Sequence, residues 1–195
     1  MAQFNDFLTR VDLSAVSDYV VAHGHSVSYS RSDIFVEKGS LCRNVGIVKS
    51  GYFKFVVVNS KGQEVVTGFS FPGDVVTDFV RGILFRQSCL TSIVAGCDAE
   101  LLQISAAVVR RHVLEKHPGF LNEAGARLLQ EAYIRYLNLR SKTPAERYAE
   151  LVARYPEVKD LLPVQELASF LGVSRRQFQR IREEMGRDGS NKNNF

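Results

Sequence analysis

Between Val173 and Glu184 the sequence reads VSRRQFQRIREE, and these side chains offer the most recognisable chemistry in the chain. Arg175, Arg176 and Arg180 each carry a planar fork of donors that fits guanine N7 and O6, and Gln177 and Gln179 can pair with adenine N6 and N7. An arginine in the same place can instead meet a phosphate, which positions a protein without reading sequence. Ser174 stands just before the run, where a hydroxyl can cap a helix by accepting a backbone N–H. From Gly172 to Arg187, Arg175, Arg176, Arg180, Arg182 and Arg187 face only Glu183 and Glu184. A short helix with that balance suits a phosphate backbone. The whole-chain net charge of +4 is too small to indicate a nucleic-acid partner by itself.

A base-reading helix needs a support that holds it outward. The preceding residues, VQELASFLG from Val164, have the pattern of the first helix of a helix-turn-helix. Ala168 is small where the second helix must cross the first, and Gly172 tolerates the positive φ that opens the turn. Leu167, Leu171, Val173, Phe178 and Ile181 are spaced to close a small core between the two helices. Upstream, Thr143 can cap, Pro144 suits the first helical position, and Glu146 completes a capping box. The helix opened there is expected to run to about Tyr155-Pro156.

The segment from Gly119 to Ser141 carries Leu121, Ala124, Gly125, Leu128, Ala132, Tyr136 and Leu139 at three- and four-residue intervals. This gives one apolar stripe about six turns long. Pairing with the same helix of a second chain is the simplest way to cover it, with an ordinary intradomain core helix as the alternative. Leu121, Gly125, Leu128, Ala132, Tyr136 and Leu139 are the candidate dimerisation residues.

From about Ser26 to Ile104 the texture is different. Short β-branched and aromatic runs (34–36, 45–48, 52–58, 64–71, 90–95 and 101–104) are separated by glycine-bearing turns, as in a sandwich or roll. Asn59-Ser60-Lys61-Gly62 is a hairpin signal. Before the roll, Phe7, Val11, Val16, Tyr19 and Val20 have the spacing of one helical face within 5–22.

The composition, 45% hydrophobic and 24% charged, is that of a globular protein. Cys42, Cys89 and Cys97 are an odd number without metal-ligand spacing, so neither a disulfide framework nor a metal centre is expected. No apolar run approaches the roughly 18 residues of a membrane span. Residues 1–7 lack a basic stretch followed by an apolar core, and a cytoplasmic location is the expectation.

With these residues in view, the chain from about 20 to 186 resembles the Crp/Fnr family of bacterial transcription regulators. SDIFVEKGSLCRNVGIVKSGYFKFVVVNSKGQEVVTGFSFPGD follows the order of that family's cyclic-nucleotide-binding roll: strand, Gly39, strand, Gly51, hairpin, Pro-Gly-Asp. VSRRQFQRI resembles its recognition helix, with Arg175 and Arg180 at the positions of its two guanine-reading arginines. Where the family often has a cytosine-reading glutamate, this chain has Arg176, which implies a different base at that pair. The resemblance implies a double-stranded DNA operator, a homodimer and RNA polymerase as partners.

It also places an effector pocket at Gly73, Asp78, Arg86, Ser88 and Cys89. The family's Gly-Glu pair appears here as Thr77-Asp78. Its Arg-Ser or Arg-Thr pair falls near Ser88-Cys89, with Arg86 upstream and out of register. Cyclic AMP is therefore not the expected ligand, and the roll is left open to a different small-molecule effector. The four-cysteine iron–sulfur set of the oxygen-sensing branch is missing.

The expected fold is α+β, with an N-terminal double-stranded β-helix (jelly roll), a long dimerisation helix and an all-α helix-turn-helix domain lacking a full wing, since the sequence stops about ten residues after the recognition helix. The expected divisions are 1–118 for the sensor roll, 119–141 for the dimerisation helix, 142–187 for the DNA-binding domain and 188–195 for a disordered tail. Catalytic and metal-ligating residues are not expected. Two other readings stay open: a ligand-sensing module acting through protein contacts without DNA binding, and a cupin-like metal enzyme using the His23/His25 pair. The remaining histidines, His112 and His117, flank a helix beyond the roll and offer such a metal site little.

Overall fold

The computed structural model describes residues 14–191. The chain divides into two compact units between Ile134 and Arg135.

The first unit opens with α1 (Ser14–His23) and continues through eight strands. These are β1 (His25–Tyr29), β2 (Ile34–Val36), β3 (Asn44–Ser50), β4 (Phe53–Val58), β5 (Glu64–Ser70), β6 (Val75–Val76), β7 (Ser92–Ala95) and β8 (Ala99–Ser105). They form two four-stranded sheets, ordered β1-β8-β3-β6 and β2-β7-β4-β5, in which every pairing is antiparallel. This is the expected roll. A buried cluster that includes Val36, Val48, Phe53, Val76, Ile93 and Leu101 draws on strands of both sheets. In β5 the partners jump from Phe55↔Gly68 to Val56↔Val66. The bulge at Thr67 lets Val66 and Phe69, three apart, both be buried.

The turns follow local chemistry. Asn59 Oδ1 accepts from the backbone N–H of Lys61 at 2.9 Å and of Gln63 at 3.0 Å, and Gly62 takes φ +74°. Gly51 joins β3 to β4 at φ +73°, and a Cβ there would stand 2.5 Å from the Asp98 carbonyl oxygen and 2.7 Å from the Ala99 Cβ.

A second cluster lies under the helices. Val16 and Val20 of α1 pack with Val45 and Ile47 of β3, Ile104 of β8, and Ala106 and Val109 of α2 (Ala106–His112). Ile83 joins them from a π-helical turn (Phe79–Leu84), an element the strand-and-turn reading of this region does not contain. Tyr19 is half-buried beside Val16 and Val20, as its spacing anticipates; Phe7 and Val11 lie outside the described residues. A 3-10 turn (Leu114–Lys116) then leads to α3 (Pro118–Ser141), which contains the division between the units. His25 opens β1 rather than preceding the strands, and His23 ends α1 stacked on Tyr19 at 4.3 Å.

The second unit holds the end of α3, then α4 (Pro144–Arg154), α5 (Val158–Leu161), α6 (Val164–Phe170) and α7 (Arg175–Asn191). Thr143 and Glu146 make the full capping box: Thr143 Oγ1 accepts from the Glu146 N–H, and Glu146 Oε2 accepts from the Thr143 N–H at 2.7 Å. Glu146 is held below the usual glutamate pKa first by that backbone hydrogen bond. The one-turn α5 is an addition to the sequence reading. Its Val158 is 1% exposed, so burial holds a helix too short to form by propensity. The tail expected from 188 is a correction as far as Asn191. Gly186 is not among the glycines with positive φ, so it does not terminate the helix.

Gly51→Ala is expected to lower the unfolding free energy by about 2–4 kcal/mol, combining left-handed strain with a clash against backbone. Gly62→Ala, whose Cβ would meet nothing within 4 Å, is expected to lose only about 1–2 kcal/mol. Urea unfolding of both variants checks this, and equal losses would contradict the clash.

Candidate nucleic-acid interface and effector region

α6 and α7 are joined by the turn at Gly172, which takes φ +72°. The Ser174 hydroxyl accepts from the Gln177 N–H at 3.2 Å and caps α7. Leu167, Ala168, Leu171, Phe178 and Ile181 are buried, with Phe178 at 0% exposure, and Val173 is half-buried. The ring of Phe178 meets Tyr148 of α4 edge-on, 4.8 Å between centroids.

Burial of Phe178 and Ile181 fixes the rotation of α7. At about 100° per residue, Arg176 and Arg180 then lie opposite Phe178, with Arg175, Gln177 and Gln179 on the flanks. All five are exposed, as is Ser174. Arg180 Nε stands 3.6 Å from Glu184 Oε1, both side chains exposed. Arg182 does not belong with this row. It turns toward the Tyr148 phenol and hydrogen-bonds it. Burial raises the pKa of that phenol, and Arg182 acts in the opposite direction.

The long helix corrects the sequence reading in part. Ala124 is buried, and Leu121 packs on the cluster beneath α1, so Leu121 belongs to the core of its own chain. Gly125 and Leu128 are half-buried, while Ala132, Tyr136 and Leu139 are exposed. The stripe drawn through these residues straddles two faces. The outward face also carries Leu129 at 73% exposure and Tyr133 at 61%, together with Leu137. Leu129, Tyr133 and Tyr136 have i, i+4, i+7 spacing, a signal available in the sequence but overshadowed by the longer stripe.

In the effector region, Gly73 takes φ +93° and its N–H donates to the Val48 carbonyl at 2.9 Å. The Asp74 carboxylate, buried, accepts from the Phe71 N–H. Asp78 caps the π-helical turn by accepting from the Arg81 N–H at 2.9 Å. Cys89 is 2% exposed, and burial pushes its thiol up to about 12, reinforced by the Asp78 charge and a hydrogen bond to that carboxylate. Cys42 lies beside them, its sulfur 3.5 Å from the Asp78 N–H that donates to it.

The guanidinium that reaches Ser88 is that of Arg81, whose Nε donates to the Ser88 carbonyl at 3.0 Å. Arg86 is exposed at φ +51°. A second guanidinium missed by the sequence reading, Arg110, lies 3.4 Å from the Gly82 carbonyl and is held below the usual arginine pKa by burial and then by the charge of Arg86. The structure thus joins Asp78 to Cys89 and places Arg81, rather than Arg86, against Ser88. Arg81 follows Asp78 by three residues, helical spacing that a strand-and-turn reading passes over.

Residues 26–116 match the family described as cyclic nucleotide-binding domain. No curated protein matches the chain in sequence. Several solved structures share its fold. FixK2 from Bradyrhizobium japonicum is 17% identical, with a TM-score of 0.71 over 85% of this chain and 86% of that one. CLP, the c-di-GMP responsive global regulator of Xanthomonas campestris, is 18% identical, with a TM-score of 0.64 over 91% and 93%. A mutant CooA from Carboxydothermus hydrogenoformans is 19% identical, with a TM-score of 0.62 over 96% and 85%. At these identities the likeness is one of fold. Among the described residues, no helix is long and apolar enough to cross a membrane, and no group of three or more His, Cys, Asp or Glu is placed to hold a metal.

Cys89 is expected to stay unmodified by iodoacetamide up to pH 9, where half-exposed Cys97 reacts. The folded-state pKa of Cys89 lies above its unfolded value, so its contribution to stability is present below about pH 9 and is lost as pH rises toward about 12. Peptide mapping after alkylation of the native protein checks the assignment.

Proposed function

We propose that this chain, which matches a cyclic nucleotide-binding domain over residues 26–116 and shares its fold with FixK2, is a dimeric regulator of the Crp/Fnr type that reads double-stranded DNA with α7. The observation that carries this reading is the row Arg175, Arg176, Gln177, Gln179 and Arg180, all exposed on a helix whose opposite side is locked by Phe178 and Ile181. Helix N-terminal residues meet base edges when such a helix enters the major groove. Arg175 and Arg180 are assigned to guanines and Arg176 to a base or phosphate between them.

Two recognition helices fit successive major grooves only when about 34 Å apart, so the reading requires a second copy of the chain. The exposed face of Leu129, Tyr133, Tyr136 and Leu139 on α3 is the surface assigned to that contact. In this reading the roll, with or without a ligand, sets how two copies of α3 pack and thereby the separation of the α7 pair.

The effector assigned here is not a cyclic nucleotide. A cyclic phosphate beside Ser88-Cys89 would face a protonated thiol and the Asp78 carboxylate, while Arg81 already spends its Nε on the Ser88 carbonyl. Loss of charge-assisted bonds worth about 1.5–3 kcal/mol each weighs against that ligand.

Selection of random duplex DNA by the full chain is expected to enrich an inverted repeat with half-sites about one helical turn apart. Arg180→Ala should weaken binding to it by about 1–3 kcal/mol and relax one base pair per half-site. No enrichment at low salt overturns the reading. Leu129→Asp is expected to shift the protein toward monomer in sedimentation velocity without altering its circular dichroism. An undisturbed dimer would remove α3's outward face from the contact.

A further inference from the structure

One arginine links the end of the long helix to the turn of the helix-turn-helix. Arg147, on α4, donates through Nη1 to the Lys142 carbonyl at 2.9 Å and to the Leu139 carbonyl at 3.4 Å. Its Nη2 donates to the Leu171 carbonyl at 2.7 Å. Leu139 belongs to the last turn of α3, and the Thr143 N–H four residues on donates to Glu146 Oε2 instead of to its carbonyl. Leu171 caps the C-terminus of α6, immediately before Gly172. A single half-buried guanidinium therefore sits at the negative ends of two helices, where a cation is favoured, and its planar fork reaches both.

The next residue grips the other side of the motif. Tyr148 packs edge-on against Phe178 and accepts from Arg182, both on α7. Consecutive residues of α4 thus hold the turn and the recognition helix, while Arg147 also holds the junction Lys142-Thr143. We propose that Arg147 is a positioning residue: its fork sets the angle at which α7 stands relative to the last turn of α3, and through it the half-site spacing that a dimer accepts. This rests on the DNA-binding reading above. Arg147 itself touches no base. A lysine at the same position keeps the charge but gathers its donors on one nitrogen and lacks the planar fork that spreads them toward both sides.

The test uses the full-length protein, Arg147→Gln and Arg147→Lys. Their affinities are measured on the selected operator, on the same operator with one base pair added or removed between half-sites, and on a single half-site. Both variants are expected to lose roughly tenfold in discrimination between spacings, the scale of one charge-assisted hydrogen bond. Their affinity for the single half-site should stay within about twofold of wild type, because the reading face of α7 is untouched. If Arg147→Gln does not fold, Arg147→Lys, which keeps the stem and charge, decides. Retained spacing discrimination in Arg147→Lys overturns the proposal, as does a parallel loss on half-site and full operator, which marks a merely structural role. A wild-type chain that selects no DNA fails the underlying reading instead, and the two failures are distinguished by the wild-type selection alone.

Discussion

The burial of Phe178 is the contact on which the arrangement of the C-terminal unit depends. With its ring fully enclosed against Tyr148 and the α6 side, α7 has one rotation available. A turn of a single residue about the helix axis would swing Phe178 toward water, put Gln177 or Gln179 in its place and draw Arg180 or Arg176 toward the edge of the core. Exposing a phenylalanine forfeits about 1.5–3 kcal/mol, and burying an unpaired guanidinium costs more. Arg175, Arg176 and Arg180 face outward because an apolar residue between them must face inward. The turn enforces the same result from its other end. Gly172 at positive φ and the Ser174 cap fix where α7 begins.

Electrostatics in the roll are arranged differently from those of α7. On α7 the guanidinium groups of Arg175, Arg176 and Arg180 are exposed. Around the π-helical turn the charged groups are tied to the chain itself: Asp78 to the Arg81 N–H, Arg81 to the Ser88 carbonyl, and Arg110 beside the Gly82 carbonyl. Cys89 adds a donor that stays protonated at physiological pH because burial and the neighbouring carboxylate both disfavour the thiolate. A ligand entering here would have to displace internal hydrogen bonds, and it would gain most by offering an acceptor to the thiol or a donor to the carboxylate.

What the sequence revealed was local. The Asn59–Gly62 hairpin, the Thr143/Glu146 capping box and the Gly172–Ser174 turn are each specified by residues within five positions of one another. Their hydrogen bonds follow from residue type and spacing. The missed features depend on distant partners. Leu121 belongs to the core because α1 and α2 happen to pack there, a fact no periodicity within α3 contains. Arg81 acts on Ser88 only because the intervening residues wind into a π-helical turn whose Ile83 is needed by a separate cluster. The contact between Arg147 and Leu171 spans 24 positions and ends on a backbone carbonyl, so no side-chain pairing rule would have found it.

Few interactions cross the junction between α3 and α4. Only Lys142 and Thr143 separate the helices. The Lys142–Glu150 ion pair at 2.6 Å is substantially exposed, and pairs of that kind contribute about 0–1 kcal/mol. The capping box fixes where α4 starts, but its bonds stay within four residues and leave the direction of α3 open. Direction must come from contacts that span the junction, and Arg147 reaches the Leu139 carbonyl of α3, the Lys142 carbonyl between the helices and the Leu171 carbonyl at the end of α6. Backbone acceptors cannot rotate away as side chains can, so a half-buried fork between them resists bending more than the exposed pair does. A difference of about 1.4 kcal/mol between two orientations is already tenfold in population. That is the scale of one charge-assisted hydrogen bond to a backbone carbonyl.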